Sequence, residues 1–334
     1  MERFDEYGTK YPELVWDIWQ FFLDKSIKST FAKTLERSGW NPDFAPKCAL
    51  DFSIHFKDKY SDGKALFSTK MVAMISNILC ENNIMTKVFI GGLNGDEENT
   101  SFYQAFQKIS KGKHIDKELL SRQLNNLVYG FPYIYKTNKE YVRPIWVKQN
   151  NKLNNGTCFN SVHGIITAKH CIINCEELKI EGINADALKS ATILGAEDID
   201  LILIKLQDNY HWKDKFHIST GAVLDDIMVM GYPNLCGFER FLTATTGAIA
   251  AIERSFLRKY EIMLLTGKLQ GGNSGGPVLN NEGDVVGIVT EIMEPQGDYD
   301  KFGYGLAIPS YYLNQLEEIK NNYNFVDEIT PIEE

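Results

Sequence analysis

The sequence has no apolar run long enough to cross a bilayer, because acidic side chains interrupt each longer stretch. The longest of them, Leu14–Leu23, contains Asp17 and is flanked by Glu13 and Asp24. A transmembrane helix needs about 20 mostly apolar residues. Residues 1–7 are charged and no apolar run follows a basic start, unlike a secretory signal. We therefore expect neither a membrane span nor a secretory leader.

Cysteine is scarce and scattered, with six residues in a chain of 334 and no spacing typical of a disulfide framework. Cys171 and Cys175 lie near His163 and His170 in the sequence, but no second paired set accompanies them, as a structural zinc site would require. We expect reduced thiols, a cytoplasmic location, and no metal or other cofactor.

The chain also lacks a basic surface. Its formal net charge is -9, and residues 1–135 are balanced at 17 Lys/Arg and 17 Asp/Glu, so the acidic excess lies in the remainder. A surface of that sign repels phosphate backbones. Nucleic acid is therefore not an expected partner.

A chain of this length favours two domains. Apolar periodicity predicts a smaller N-terminal domain, residues 1–132, that is either α/β or mostly helical. Its predicted elements are helices within 11–38 and 64–82, strands at 49–56 and 85–90, and two helices around Gly112 within 100–129.

From about residue 133 the pattern changes to short β-branched and aromatic strands separated by turn residues, as in an all-β barrel or sandwich. This predicts a second domain over residues 133–325, closed by a helix at 311–322 and followed by an acidic tail at 326–334. The predicted strands are 141–148, 164–167, 178–180, 201–206, 227–231, 243–252, 263–266 and 285–290.

One serine lies in a glycine-rich segment, Gly271-Gly272-Asn273-Ser274-Gly275-Gly276-Pro277, directly before a predicted strand. Glycine tolerates tight turns that other residues do not. Such a turn exposes the serine hydroxyl and directs successive backbone N–H groups toward one point. The amides of Gly272 and Ser274 could then bind the oxyanion of an acyl-transfer intermediate. An ordinary glycine-rich hairpin is the alternative.

A nucleophilic serine needs a base, and His170 follows the apolar strand 164–167. Between the two residues, Asp200 precedes another apolar strand, where it could orient the imidazole and stabilise its charged form. Each residue alone is commonly structural. The three together indicate a catalytic triad.

These segments resemble the chymotrypsin superfamily, and most of all its bacterial HtrA-type branch. The resemblance rests on Thr-Ala-Lys-His-Cys at residues 167–171, the Asp-containing strand 200–206, and Gly-Asn-Ser-Gly-Gly-Pro at residues 272–277. Residues 156–159 and 303–309 are similar to two further strands of that branch. The resemblance covers roughly residues 135–325 and implies a chymotrypsin-like double β-barrel.

The resemblance implies that Ser274 is the nucleophile, His170 the general base and then acid, and Asp200 its orienting carboxylate. Asp198, two residues upstream, is the rival for the last role. It also implies an oxyanion hole formed by Gly272 and Ser274, and a hydroxyl of Thr290 that supports the aspartate.

The substrate-binding residues implied by the same resemblance fall into two groups. Thr290, Glu291 and Ile292 form a strand that would pair with an extended substrate. Lys268 and Leu269 lie at the specificity pocket, where a lysine argues against cleavage after basic residues. Whether Lys268 recognises an acidic side chain or points to solvent stays open.

The expected function is that of a cytosolic serine endopeptidase acting on proteins or peptides. Asn273 replaces the aspartate that binds the new N-terminus of secreted trypsins, so activation by zymogen cleavage is not expected. Control is expected from loop ordering or from the N-terminal domain, and residues 1–132 could bind a regulatory partner. The layout resembles bacterial stress or antiviral effector proteases. A pseudoprotease that binds peptides without cutting them and an esterase with the same triad are the rival functions.

Overall fold

The computed structural model describes residues 3–37, 39–41, 46–60, 65–88, 101–106, 116–207, 215–234, 240–256, 259–290 and 304–330. The chain divides into two compact units, Met1–Tyr133 and Ile134–Glu334. They are called unit 1 and unit 2 below and are described separately.

Unit 1 combines helices with a small antiparallel sheet. The sheet has the strand order β1-β3-β2 and consists of β1 Lys47–Cys48, β2 Met85–Val88 and β3 Phe102–Ala105. The described helices are α1 Phe4–Lys10, α2 Leu14–Leu23, α3 Ala32–Arg37, α4 Ala49–His55, α5 Lys57–Tyr60, α6 Thr69–Glu81 and α7 Lys117–Asn138. The last of these includes the unit boundary and contains Gly130, whose φ of 71° departs from helical geometry.

An aromatic-rich core holds unit 1 together. Phe21, Phe52 and Tyr103 are among its largest fully buried side chains. The apolar positions of α2 and α6 face this core, as their helical spacing predicted.

Two predicted elements of unit 1 are wrong. Residues 49–56 form helix α4 instead of a strand, because the Asp51 carboxylate accepts a bond from the Cys48 N–H (2.9 Å) and caps the first turn. Residues 102–105 form a strand instead of a helix, and this strand pairs with both β1 and β2. Gly112 lies outside the described residues.

The described residues of unit 2 beyond the end of α7 form two sheets and a short helix, α8 Ala185–Lys189. The first sheet has the strand order β16-β8-β9-β6-β5-β4-β7, and the second is a closed barrel of order β10-β11-β12-β15-β14-β13. The strands are β4 Val142–Gln149, β5 Lys152–Ser161, β6 Gly164–Thr167, β7 Glu177–Ile180, β8 Thr192–Gly195, β9 Ile202–Lys205, β10 Asp226–Gly231, β11 Thr243–Arg254, β12 Glu261–Leu265, β13 Pro277–Leu279, β14 Val285–Val289, β15 Gly305–Pro309 and β16 Glu317–Ile319.

The prediction of an all-β domain after a smaller, partly helical region is confirmed. Of the two barrels implied by the resemblance, one is a closed six-stranded barrel and the other is a seven-stranded sheet. Each sheet encloses a cluster of buried aliphatic side chains. In the described part of the chain, no helix has the length and apolarity to span a membrane.

The predicted helix at 311–322 is wrong. A 3-10 helix, Ser310–Gln315, is followed by strand β16, which pairs with the edge of β8. The Asn321 side chain then donates to the backbone carbonyls of Leu188, in the last turn of α8, and of Ala191 beyond it, and these bonds hold the chain extended.

The start of the predicted acidic tail packs against the first sheet. Phe325 is fully buried, and the Val326 N–H donates to the Leu178 carbonyl. The Asp327 carboxylate accepts from the Ala185 N–H, and Thr330 bonds to Glu177. The segment therefore closes the core of this sheet.

Phe325→Ala should lower the free energy of unfolding by about 3–5 kcal/mol, because it leaves a cavity in a packed core. Phe256→Ala is the matched control, since the Phe256 side chain is fully exposed. Denaturant unfolding followed by near-ultraviolet circular dichroism measures both. A loss below about 1 kcal/mol for Phe325→Ala, within the range of ordinary surface changes, would contradict this packing.

Candidate active site

Strand pairing brings His170 and Asp200 together. β6 and β9 are antiparallel with Thr167 opposite Ile202, so the residues after β6 meet those before β9. His170 lies in a 3-10 turn, Lys169–Cys171, directly after β6. The Lys169 N–H donates to the Asp200 carbonyl at 3.3 Å. The register of one strand pair therefore fixes the backbone positions of both side chains.

The Asp200 carboxylate is fully engaged by its neighbours. Its Oδ1 accepts a bond from the His170 N–H at 2.8 Å, and its Oδ2 lies 2.7 Å from His170 Nδ1. The Thr290 hydroxyl donates to the same Oδ2 at 2.5 Å. Asp198, the rival residue, is exposed and has no such bond among the described residues.

The pKa of His170 is raised and the pKa of Asp200 is lowered relative to their ordinary values. Burial lowers the pKa of the His170 imidazole, but the hydrogen bond and charge of Asp200, with the neighbouring Cys171, outweigh it and raise that pKa above its ordinary value. Burial raises the pKa of Asp200, while His170 and Thr290 lower it by more. The arrangement therefore stabilises a positively charged imidazole beside an ionised carboxylate.

The glycines around Ser274 are required by close backbone approach. Gly275 has a φ of +84°, and a Cβ there would lie 2.1 Å from the Thr157 carbonyl oxygen. Gly272 has a φ of +96°, and a Cβ there would lie 2.4 Å from the Tyr232 carbonyl oxygen. A side chain at either position would force the turn away from the strands beneath it.

The carbonyl groups of this turn bond to the protein. Gly271 O accepts from the Asn234 N–H at 2.7 Å, and Asn273 O accepts from the Gly276 N–H at 2.9 Å. In a trans peptide the N–H points opposite to the carbonyl. The Gly272 and Ser274 N–H groups therefore point away from these partners, and neither donates to an acceptor among the described residues. They are available to an external oxyanion.

The Ser274 hydroxyl and the imidazole are not joined by a hydrogen bond in the described residues. The two turns are connected through Cys171 instead, whose Sγ lies 3.7 Å from His170 Nε2 and 3.4 Å from the Ser274 carbonyl oxygen. Nucleophile–base bonds are often long without substrate and shorten in the substrate complex. Cys171 thus links the serine turn to the turn that carries His170.

Thr157 is a positioning residue that sequence reasoning missed. It is fully buried, its N–H donates to Ser274 O at 2.9 Å, and its hydroxyl donates to Gly272 O at 2.7 Å. Its carbonyl accepts from the Thr167 hydroxyl, at the end of β6. Its position in the Gly-Thr-Cys-Phe strand was the only sequence signal, and hydrogen bonds across 115 residues leave no local pattern.

The predicted specificity residues occupy different environments. Lys268 is exposed, whereas Leu269 packs against the barrel core and against Gly305, where a Cβ would lie 2.4 Å from its Cδ1. Glu291 and Ile292 lie outside the described residues. Backbone bonding ties Thr290 to Leu306 within the protein.

The cysteines beside the site are unbonded. Cys158 is buried and Cys171 is half-buried, and both are free thiols. Cys171 faces Gly156, where a Cβ would lie 2.7 Å from its Sγ. In the described part of the chain, no group of three or more His, Cys, Asp or Glu side chains is arranged to hold a metal ion.

A scan against protein-family models matches residues 154–288 to the trypsin-like peptidase domain. A probable periplasmic serine endoprotease, DegP-like, of Buchnera aphidicola subsp. Baizongia pistaciae is 30% identical over 171 residues, which are 49% of this chain and 35% of that protein. The periplasmic pH-dependent serine endoprotease DegQ of Escherichia coli (strain K12) is 31% identical over 178 residues, 50% of this chain and 36% of that protein. The chain spans about a third of the length of these curated relatives.

Two solved structures are also similar to part of this chain. The HtrA-type protease AlgW with tripeptide has 20% sequence identity and a TM-score of 0.43, covering 55% of this chain and 60% of its own. A protease from M. tuberculosis in its active form has 18% identity and a TM-score of 0.43, covering 55% of this chain and 81% of its own.

Residues 154–288, which lie within unit 2, are therefore similar to a trypsin-like peptidase domain. Relatives of the chain include DegP-like and DegQ endoproteases, so the predicted resemblance to the HtrA-type branch is confirmed.

Asp200→Asn should lower the pKa of His170 by at least about one unit, because the amide cannot supply the negative charge at Nδ1. Asp198→Asn is the matched control and should leave that pKa unchanged. The measurement is an NMR pH titration of the protein with ¹³Cε1-labelled histidine, with the His170 resonance assigned by its loss in His170→Gln. A larger effect of Asp198→Asn would show that Asp200 does not orient the imidazole.

Proposed function

We propose that the protein is a serine endopeptidase that cleaves peptide bonds through an acyl-enzyme. In this proposal Ser274 Oγ attacks the carbonyl carbon of the scissile bond, and His170 Nε2 takes the serine proton. His170 then returns the proton to the leaving amine, and water releases the acyl group by the reverse sequence. Asp200 holds the imidazole and stabilises its charged form.

The observation that carries this proposal is the combination of a tethered His–Asp pair with two unpaired amides at the serine turn. Asp200 engages both the backbone and the ring of His170. The Gly272 and Ser274 N–H groups have no acceptor in the described residues, although the carbonyls around them are paired. Preorganised donors of this kind stabilise the charge that develops on the carbonyl oxygen.

The proposed substrates are proteins or peptides. The relatives that match this domain are named as endoproteases, and the site belongs to the same matched region. We also propose the cytoplasm as the protein's location, because the six cysteines of the sequence have no spacing typical of a disulfide framework.

Ser274→Ala should reduce hydrolysis of casein at least ~10³-fold without unfolding the chain, because the nucleophile is lost from a turn at the surface. Ser190→Ala, at the exposed end of α8, is the matched control and should keep the wild-type rate. Thermal melting of all three proteins checks the fold. Retention of more than about a tenth of the activity by a folded Ser274→Ala protein would exclude Ser274 as the nucleophile.

We further propose that unit 1 regulates the peptidase, and that the protein serves as a stress or antiviral-defence effector. Unit 1 has its own core and contributes none of the residues of the candidate site. The serine turn is anchored by bonds within unit 2, from Asn234 and Thr157. Since unit 2 supplies its own anchors, an inhibitory influence of unit 1 fits better than a required one.

A fragment comprising residues 134–334 should therefore hydrolyse casein several-fold faster than the full-length chain. If unit 1 binds an inactive form of the site more tightly than the active form, a difference of a few kcal/mol is enough to populate the inactive form. Both proteins are first shown to be folded by thermal melting. Rates that agree within about twofold would leave unit 1 with only a recruiting role. A slower fragment would mean that unit 1 is needed to order the site.

A further inference from the structure

Unit 2 contains a cavity of about 720 Å³ that is distinct from the serine turn. Its walls are residues 195–199 from the end of β8 onward, the end of β11 at Arg254 with residues 259–261 at the start of β12, and residues from the 3-10 helix into β16. A volume of this size is in the range of ligand pockets. The described lining includes Asp198 but none of the proposed catalytic residues His170, Asp200 and Ser274.

The described lining of the cavity carries an excess of negative charge. Five acidic residues and two cationic residues, Arg254 and Lys259, contribute to it, and the carboxylate of one of the acidic residues, Glu261, accepts a bond from the Tyr311 hydroxyl. The carboxylates are Glu197, Asp198, Glu261, Glu317 and Glu318. Within the described residues, none of the five takes part in an ion pair. A concave surface lined by one sign of charge focuses the field and concentrates cations.

Aromatic rings form part of the same lining. Tyr260 and Tyr312 are buried, and their ring centroids lie 5.8 Å apart in an edge-to-face arrangement. Ile199 adds an apolar surface. Lysine and arginine side chains combine an apolar stem with a cationic head that is attracted to such rings. The lining therefore suits these side chains better than a small hydrophilic cation.

The carboxylates are too dispersed for a single metal ion. In the described chain, no three of the His, Cys, Asp and Glu side chains are placed to share one ion. A ligand that meets several of these carboxylates must carry several positive charges along an extended backbone. A basic peptide segment meets this requirement.

The cavity wall is directly connected to the His–Asp pair. Residues 195–199 lead into Asp200, whose carboxylate is held by His170. The Lys169 side chain donates to the carbonyls of Ala196 at 2.8 Å and Glu197 at 3.1 Å. Residues 169 and 170 therefore brace the wall of the cavity at one end and the catalytic carboxylate at the other.

We propose that this cavity is a regulatory site for a basic, arginine- or lysine-containing peptide segment, and that its occupation changes the environment of His170. Binding itself does not depend on the proposed peptidase function, whereas a consequence for hydrolysis does. The occupant would act by shifting the backbone of residues 196–199, which the Lys169 side chain ties to the histidine turn.

Binding is tested on the full-length chain carrying Ser274→Ala, so that no peptide is cleaved. The probe is a fluorescein-labelled Arg-Gly-Arg-Gly-Arg peptide, with a Gln-for-Arg peptide as its control, followed by fluorescence polarisation. The arginine peptide should bind and the glutamine peptide should not. Binding should weaken as salt is added, because solvent-exposed charges are screened.

Variants with equal charge changes locate the site. Asp198→Asn with Glu317→Gln removes charges from two walls and should weaken binding about tenfold. Glu140→Gln with Glu253→Gln makes the same charge change at exposed positions outside the cavity and should alter affinity by less than about twofold. Equal weakening by the two pairs, or no binding, would overturn the site.

The connection to His170 is tested by NMR on the same Ser274→Ala chain with ¹³Cε1-labelled histidine. Saturating arginine peptide should shift the His170 resonance, and the shift should be lost in the Asp198→Asn, Glu317→Gln variant. Binding at the cavity without a shift would overturn the regulatory role. Because no hydrolysis is measured, these outcomes are independent of whether the protein proves to be a peptidase.

Discussion

The candidate site depends on one buried threonine. Thr157, in the middle of β5, donates from its backbone to Ser274 and from its hydroxyl to Gly272, and the Tyr232 N–H donates to that hydroxyl at 3.0 Å. Its carbonyl accepts from Thr167, where the histidine turn begins. A fully buried polar group must satisfy its hydrogen bonds. By doing so, Thr157 fixes the serine turn of the barrel to the first sheet.

The electrostatics of the site follow from a second constraint, the pairing of β6 with β9. This register places the Asp200 carboxylate against both the backbone and the ring of His170. The same backbone continues into residues 195–199, which the Lys169 side chain holds. The proposed peptidase site and the acidic cavity are therefore joined by a short, hydrogen-bonded segment and not by a long path through the core. Through that connection, a shift of residues 195–199 would reach the histidine turn directly.

The strands and site of unit 2 were predictable because their signals are local. Apolar runs bounded by turns gave most strands, and the block around Ser274 requires glycine for reasons that a sequence displays directly. Other features depend on distant partners. The Asp51 carboxylate caps helix α4 and is held by hydrogen bonds from Ser29 and Thr30. These distant partners favour a helix where the local pattern predicted a strand. Strand β16 forms by pairing with the edge of β8. Thr157 is held by a hydrogen bond from Tyr232, which is more than 70 positions away in the sequence. Periodicity within one segment contains none of this information.

The central claim is that Ser274 is a nucleophile activated by His170. Its most direct test is reaction of the full-length protein with a fluorophosphonate probe, followed by mass spectrometric mapping of the adduct. Attack by an activated serine forms a phosphorus–oxygen bond and expels fluoride. The account predicts an adduct at Ser274 that forms in the wild type and is lost or greatly slowed in His170→Gln. An adduct at a different serine, or equal labelling of Ser274 in the folded His170→Gln protein, would contradict it.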